Sequence, residues 1–236
     1  MTAIALLAPA LLFAAGWNPQ VGLGLTVDKG NNDRNLLVLD FSSFNREGIH
    51  EIRTLASFSN ETGSGRRTIR KADFSSKLNL FYHPDLFFFG SLDAVHNSGA
   101  GIDYRIAPGI GAGVVIARRE VQDTLVYSLS ANLGVNPIVE NMDGRPPITR
   151  GHYLFIQELE YNFDSRTHLS QRLDYKPSFR NDDNYLLDMS LGLTHEVSRR
   201  FNVSNRLKLK YDSNPLPEKK HTDMTLVFSV GYRLGR

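Results

Sequence analysis

Charged side chains that recur at every second position are the residues in this sequence best placed to do chemistry. Glu158 and Glu160 lie two apart, and Arg172, Asp174 and Lys176 repeat the same spacing a short distance along the chain. Side chains at positions i and i+2 of a strand share one face. Two neighbouring carboxylates need cations beside them, and Arg172 and Lys176 are the expected supply. The pattern favours mutual neutralisation over a ring of carboxylates that selects ions.

The same two-residue spacing extends this charged face to other segments of the chain. Both signs are interspersed, as expected of an interior that is neutralised by salt bridges. The residues that we expect to line such an interior are Lys71, Asp73, Lys77, Asp93, Asp103, Arg105, Glu158, Glu160, Arg172, Asp174, Lys176, Asp188, Arg206, Lys208 and Lys210.

Serine and histidine residues could instead support ester hydrolysis. A lipid hydrolase needs a serine, a histidine and a polar residue that orients the histidine. His96 with Ser98 is the nearest candidate, and His152 and His195 are the other histidines weighed. None of them has an identifiable partner in the sequence. We therefore expect histidines without a catalytic role, and no enzyme.

Metal and cofactor sites are weakly indicated. Asp182-Asp183 and the pair Asp212 and Asp223 could bind Ca²⁺, although aspartate in a turn more often accepts hydrogen bonds from its own backbone. The chain has no cysteine, so it offers neither disulfides nor thiolate ligands. We predict no metal and no cofactor.

Glycines at positions 109, 111 and 113 do not form a phosphate-binding loop. Such a loop precedes a helix, whereas these glycines alternate within a segment that has the pattern of a strand. Their spacing predicts room for long side chains opposite them, or sharp curvature of the sheet.

The element that must position these residues is a long alternating strand, seen most clearly in Ile102–Ala117. Every second residue from Ile102 to Ile116 is apolar, and the residues between them are small or charged. This period of two predicts a strand. Its length exceeds the roughly five or six residues that are usual for strands of soluble sheets. A strand with one apolar face and one polar face is typical of an outer-membrane barrel.

Strands with this alternation recur about twelve times along the chain. We expect short turns after most even strands and longer loops after several odd strands, with Arg118–Asp123 as a loose exception and Pro137–Thr149 as the longest connection. Outer-membrane barrels have an even number of strands, short periplasmic turns and longer outer loops. The prediction is an all-β, antiparallel, up-and-down transmembrane β-barrel of about twelve strands with both termini in the periplasm.

Length and composition agree with one such barrel. The 236 residues are 41% hydrophobic and 22% charged, and the net charge of +2 comes from interspersed residues, which argues against a nucleic-acid partner. Residues 1–15 resemble the apolar core of a signal peptide and are shorter than the about 20 residues of a spanning helix. The alternative is an N-terminal helix that packs on or plugs the barrel. Residues 16–236 are assigned to the barrel.

A soluble barrel would also alternate, but with its apolar face turned inward around a ligand. Aromatic residues gather near the ends of the predicted strands, as at membrane interfaces. The strand Leu86–Asn97 begins with three phenylalanines that we interpret as part of such a girdle. With the opposite orientation, Lys and Arg would face lipid at about 2–4 kcal/mol each at the midplane. The membrane orientation is therefore favoured.

Two segments carry a family resemblance. Gly101–Val114 and Tyr211–Leu234, with Gly16-Trp17-Asn18 opening the first strand, resemble the YdiY-like family of salt-induced outer-membrane proteins, which carry a domain of unknown function. The resemblance covers nearly all of Gly16–Leu234. It implies a barrel in the outer membrane of a Gram-negative bacterium, with no established activity or catalytic residues.

Two functions remain open at this stage. The first is an envelope barrel with, at most, a narrow passage for small solutes, with the link to salt or acid stress that the family name implies. The second is a non-conducting structural or docking barrel within an envelope complex. The expected partners are outer-membrane lipid, the barrel-assembly machinery and envelope proteins.

Overall fold

The computed structural model describes residues 18–29, 34–61, 69–98, 101–122, 124–142, 144, 146–180, 184–215 and 220–234. The predicted signal peptide at residues 1–15 and the Asp182-Asp183 pair lie outside these ranges. No helix within the described ranges is both long enough and apolar enough to cross a membrane.

Twelve antiparallel strands close into one barrel, and each strand pairs with the strands before and after it in the chain. The barrel closes where β1 pairs with β12, from Gln20 opposite Arg233 to Lys29 opposite Met224. The all-β up-and-down prediction is confirmed. The strands are β1 (Asn18–Lys29), β2 (Arg34–Glu47), β3 (His50–Glu61), β4 (Ile69–His83), β5 (Leu86–Asn97), β6 (Ile102–Val121), β7 (Thr124–Met142), β8 (Ile148–Asn162), β9 (Thr167–Pro177), β10 (Tyr185–Glu196), β11 (Phe201–Asp212) and β12 (Thr222–Arg233).

The apolar face of the strands points outward. Leu25 is 60% exposed and Ile110 is 66% exposed, whereas Lys77 is only 6% exposed on the opposite face. Large apolar side chains covering the outside, with ammonium and amide groups inside, are the reverse of a soluble barrel. The membrane orientation of the alternating faces is confirmed.

The connections sort into two groups at the two rims. Those after even strands are residues 48–49, 84–85, 122–123, 163–166 and 197–200, and those after odd strands are residues 30–33, 62–68, 98–101, 143–147, 178–184 and 213–221. The rim where β1 begins and β12 ends carries the shorter group, and this is the periplasmic rim in barrels of this kind.

Two predicted connections are wrong, because β6 and β7 are longer than the alternation suggested. The loose turn at Arg118–Asp123 is instead mostly strand, leaving residues 122 and 123, and Gln122 adopts a φ of 50°. The long loop at Pro137–Thr149 is also mostly strand, leaving residues 143–147.

Pro137 is tolerated inside β7 because the hydrogen-bond ladder between β6 and β7 is interrupted at this position. Residues 107–109 of β6 and 136–138 of β7 have no register partners across this seam of the described strands. Proline lacks the N–H that a ladder needs, and Pro108 occupies the same gap on β6. The side-chain amide of Asn136 donates to the Pro108 carbonyl at 2.8 Å, which replaces one of the missing hydrogen bonds.

A register shift at the start of β6 reverses two predicted side-chain directions. The pairing slips between Ile102 and Tyr104, so that Ile102 is buried and Asp103 is exposed. A bulge adds one residue to one strand and turns the following side chains over. Asp103 therefore does not share the half-buried inner positions of the other predicted lining residues.

The three phenylalanines of β5 do not form a girdle. Phe88 is exposed on the lipid side, but Phe87 and Phe89 are buried inside the barrel. Successive side chains of a strand point to opposite faces, so Phe87 and Phe89 share the inner face and Phe88 lies on the outer face. Only one of the three predicted interfacial aromatics therefore faces outward.

Candidate functional site in the barrel lumen

The inner face of the barrel collects all but one of the charged residues predicted to share it. Asp103 is the exception described above. The residues on inward-facing positions of their strands are Lys71, Asp73, Lys77, Asp93, Arg105, Glu158, Glu160, Arg172, Asp174, Lys176, Asp188, Arg206, Lys208 and Lys210.

Ion pairs cross the lumen between strands that are not neighbours. Lys77 on β4 lies 2.5 Å from Glu158 on β8 and donates to Asn132 on β7 at 3.0 Å. Arg53 on β3 pairs with Glu160, also on β8. These contacts join opposite parts of the wall and therefore narrow the lumen.

The network continues along β9 and β10. The guanidinium of Arg172 donates to Glu158 at 3.1 Å and to Asp174 at 2.7 Å. Lys176 pairs with Asp174 at 3.6 Å and with Asp188 at 2.9 Å. Arg172 thus neutralises Glu158, as the sequence predicted. Lys176 instead forms ion pairs with Asp174 and Asp188.

Two partners in this network were not anticipated from the sequence. Glu160 is neutralised by Arg53, which lies far away in the chain and becomes a neighbour only through closure of the barrel. Arg105 donates from Nε to Glu140 at 2.7 Å, and Glu140 had been assigned to a loop. The period of two that continues through Val135, Pro137 and Val139 was the available signal for the longer strand.

A second set of pairs lies toward the outer rim. Lys210 on β11 is 3.9 Å from Asp73 on β4, and Lys71 is 4.0 Å from Asp28 on β1. Both of these pairs again join strands that are not adjacent. Charge pairing therefore constricts the lumen at more than one height.

An apolar cluster fills part of the lumen beside these pairs. Phe87, Phe89, Leu154 and Ile156 are buried together, with Phe81 and Val115 packed against them. The ammonium of Lys77 lies 5.6 Å from the ring centroid of Phe87 and 5.2 Å from that of Phe89. A cation over an aromatic face is a favourable contact, especially when desolvated.

The glycines of β6 and β7 accommodate these rings. A Cβ atom on Gly113 would lie 2.3 Å from Cζ of Phe87, and one on Gly134 would lie 3.0 Å from Cζ of Phe89. The glycine spacing therefore provides the room for opposite side chains that the sequence predicted. We call the region lined by β4–β8 the filled half of the lumen.

Short side chains line part of the inner wall on β1, β2, β10, β11 and β12. The members of this small-residue wall are Gly22, Ser42, Gly192, Ser204, Ser229 and Gly231. Ser204 and Ser229 hydrogen-bond to each other at 2.7 Å, and Asn202 donates to Gln20 at 3.0 Å. Most of these residues line a small cleft that also touches Asp40 and Arg206.

A larger cavity of about 310 Å³ opens below the cleft at the periplasmic rim. Gln20 lines both spaces, so the cavity and the cleft adjoin. The residues lining the cavity are Gln20, Asn162, Asp164, Ser165, Arg166, Thr167, His168, Thr194 and Glu196.

The turn at this cavity is held by Asp164. Its Oδ1 accepts hydrogen bonds of 2.7 Å from the backbone N–H groups of Arg166 and Thr167. These bonds, the Arg166 one foremost, hold the pKa of the Asp164 carboxyl below its usual range. Asp164 therefore acts as a turn cap at neutral pH.

The candidate hydrolytic residues do not assemble. His96 hydrogen-bonds to the Asp103 carbonyl at 2.7 Å, while Ser98 Oγ contacts the backbone of Arg70 at 2.9 and 3.3 Å. His152 is 2% exposed on the inner face. His195 contacts Thr167 Oγ1 at 3.0 Å at the rim. His96, Ser98 and His195 are therefore each held by a separate partner.

The candidate calcium ligands do not form a site among the described residues, and Asp182-Asp183 lies outside those residues. Oδ1 of Asp212 accepts from the backbone N–H of Asn214 at 2.9 Å. Across the ranges given above, no group of three or more acidic, histidine or cysteine side chains is arranged to hold a metal ion.

A closed twelve-stranded barrel with an apolar exterior and a charged interior is an outer-membrane β-barrel. The chain belongs to the family described as "Protein of unknown function, DUF481", which it matches over residues 21–234 and which is the YdiY-like family. No curated protein matches the sequence.

Solved outer-membrane proteins share the fold. A NanC porin aligns with a TM-score of 0.57 at 8% identity, covering 91% of this chain and 100% of that one. A KdgM porin in complex with disordered oligogalacturonate aligns with a TM-score of 0.50 at 10% identity, covering 92% and 99%. A bacterial polysaccharide outer-membrane secretin has a TM-score of 0.50 at 6% identity, covering 93% and 98%. At these identities the likeness concerns the fold, and the protein is placed in the bacterial outer membrane.

Proposed function

We propose that the barrel passes small polar solutes along the small-residue wall. The observation that carries this proposal is the contrast between the two sides of the lumen. The filled half holds the phenylalanine cluster and the carboxylates of β8 that pair with Arg53 and Lys77, whereas the small-residue wall presents glycine and serine. Short side chains leave space next to the wall of a barrel wider than the eight-stranded type.

The passage is narrow. The cavity of about 310 Å³ at the periplasmic rim leads into a much smaller cleft beside Gly22, Ser204 and Arg206. The pair Lys210–Asp73 crosses the lumen toward the outer rim. Small hydrated ions and small polar molecules fit this description better than polymers do.

Conductance of the purified barrel in a planar lipid bilayer tests the proposal. Gly22→Phe places a ring in the cleft, because a Cβ atom there has only ordinary contacts, the nearest being the Val230 carbonyl at 3.5 Å. We expect small steady current steps from the native protein and a loss of most of this current in the variant.

Leu23→Phe is the matched control. It adds an aromatic ring at the next residue of the same strand, but Leu23 is 60% exposed on the lipid side. Its current should equal that of the native protein. Equal currents from all three proteins would place the conducting route elsewhere, and silence of the native protein would contradict the proposal.

A second candidate is a non-conducting barrel that anchors or docks envelope proteins. The ion pairs that cross the lumen favour it, since Arg53–Glu160 and Lys77–Glu158 join opposite parts of the wall. Silence of the folded native barrel in the bilayer would support this candidate.

The proposal also includes the absence of enzymatic activity, insertion by the barrel-assembly machinery and a role under salt or acid stress. The separate partners of His96 and Ser98 support the first. The stress link is supported by the family name alone. Growth of a strain lacking the protein at raised salt and at low pH tests it.

A further inference from the structure

Three cations alternate along β11 on the inner face of the barrel. Arg206 lies opposite Gly192 and Val227, and Lys208 lies opposite Ser190 and Thr225. These neighbours are mostly shorter than the cationic side chains. Arg206 and Lys208 therefore project beside the small-residue wall, and Arg206 lines the cleft itself.

The carboxylates near this wall are largely committed to other cations. Asp73 lies 3.9 Å from Lys210, and Asp188 lies 2.9 Å from Lys176. Asp28 is 4.0 Å from Lys71 and also accepts from Thr225 Oγ1 at 2.6 Å. Each of these carboxylates has a cation other than Arg206 or Lys208 within 4 Å. Asp73 also attracts Lys208 electrostatically.

Asp40 is the carboxylate that acts on both remaining cations. It lines the same cleft as Arg206 and interacts electrostatically with Arg206 and Lys208. The described residues form ion pairs with N–O distances of up to 4 Å, and none of these pairs includes Asp40, Arg206 or Lys208. Two unpaired cations therefore face one unpaired carboxylate, which leaves an excess of one positive charge beside the cleft.

We propose that Arg206 and Lys208 make the passage selective for small anions. This inference rests on the proposed function and adds the charge class of the solute. Walls of low dielectric focus the field of unpaired charges and raise the local concentration of ions of opposite sign. Rings or rows of arginine and lysine select anions in pores for the same reason.

The reversal potential across a bilayer that separates two concentrations of KCl tests this inference on the full-length barrel. We expect the native protein to have a chloride-to-potassium permeability ratio above one. In the double variant Arg206→Gln with Lys208→Gln, the ratio should fall to one or below. Asp40→Asn should shift it the opposite way, toward chloride.

Arg119→Gln is the control, because it removes one positive charge from an exposed position near the periplasmic turn of β6. Its permeability ratio should equal that of the native protein. Circular dichroism establishes that each variant is folded.

Current steps with a native preference for potassium, or a ratio that the double variant leaves unchanged, would overturn this inference while leaving the proposed passage intact. Silence of the folded native barrel would overturn both.

Discussion

Lys77 shows how one residue connects the two kinds of packing inside this barrel. Its ammonium donates to Glu158, has no second carboxylate partner among the ion pairs of the described residues, and lies over the rings of Phe87 and Phe89. An ion pair in a desolvated interior tolerates the loss of both charges better than the loss of one. Lys77 is therefore the residue whose removal should most disturb the lumen.

Lys77→Met should lower the free energy of unfolding by about 3 kcal/mol, the low end of the cost of breaking a buried ion pair. Arg172 remains 3.1 Å from Glu158 and limits the loss. Adding Glu158→Gln should restore most of the stability. Urea unfolding in detergent micelles, followed by circular dichroism, measures both changes.

Arg199→Met is the control for this series, because it removes a cation from an exposed turn. Its effect should stay within about 0.5 kcal/mol. A single Lys77→Met variant as stable as the native protein would show that the pair contributes no net stability.

At the scale of elements, β6 and β7 approach each other closely at their glycines. A Cβ atom on Gly111 would lie 2.2 Å from the Leu133 carbonyl oxygen and 2.7 Å from Cα of Gly134. Both nearest atoms belong to the backbone, so they cannot move aside as a flexible side chain could. Glycine on both strands allows this approach.

Gly111→Ala should therefore destabilise the barrel by about 1–3 kcal/mol, the usual cost of overpacking. Gly90→Ala on β5 is the matched control, because nothing lies within 4 Å of its added Cβ. It should be neutral or slightly stabilising. Equal urea midpoints for the two variants would contradict the close approach.

For the whole molecule, the phenylalanine cluster decides how much of the lumen is open. Phe87 and Phe89 fill space that the glycines of β6 and β7 leave free, and Leu154 and Ile156 close the cluster from β8. A twelve-stranded barrel is wide enough to need such filling on one side. The cross-sectional area of the passage therefore depends on these rings.

Replacing Phe87 and Phe89 together with alanine should raise the single-channel conductance, since the filled half would admit water. Each substitution should also cost about 3–5 kcal/mol of stability. The double leucine variant gives a smaller increase with less risk to folding. Phe88→Ala, at the outward position between them, is the control and should leave the conductance unchanged.

An unchanged conductance in a folded double alanine variant would mean that the apolar cluster does not limit the passage. The ion pairs across the lumen would then be the limiting feature.

Much of this architecture could be predicted from local sequence. The direction of a side chain in a strand depends only on its own backbone, so a period of two revealed the strands, their number and their outer faces. Leu25, Ile110 and Lys77 lie on the faces expected of them. The family resemblance added the outer-membrane location, which the fold shared with solved outer-membrane porins supports.

Only the tertiary structure decided which inner residues meet. The partners Arg53 and Glu160 are more than a hundred positions apart in the printed sequence and become neighbours when β1 closes on β12. The bulge that exposes Asp103 depends on the pairing of β6 with both of its neighbours. Register and closure are non-local properties of a sheet, and no local spacing encodes them.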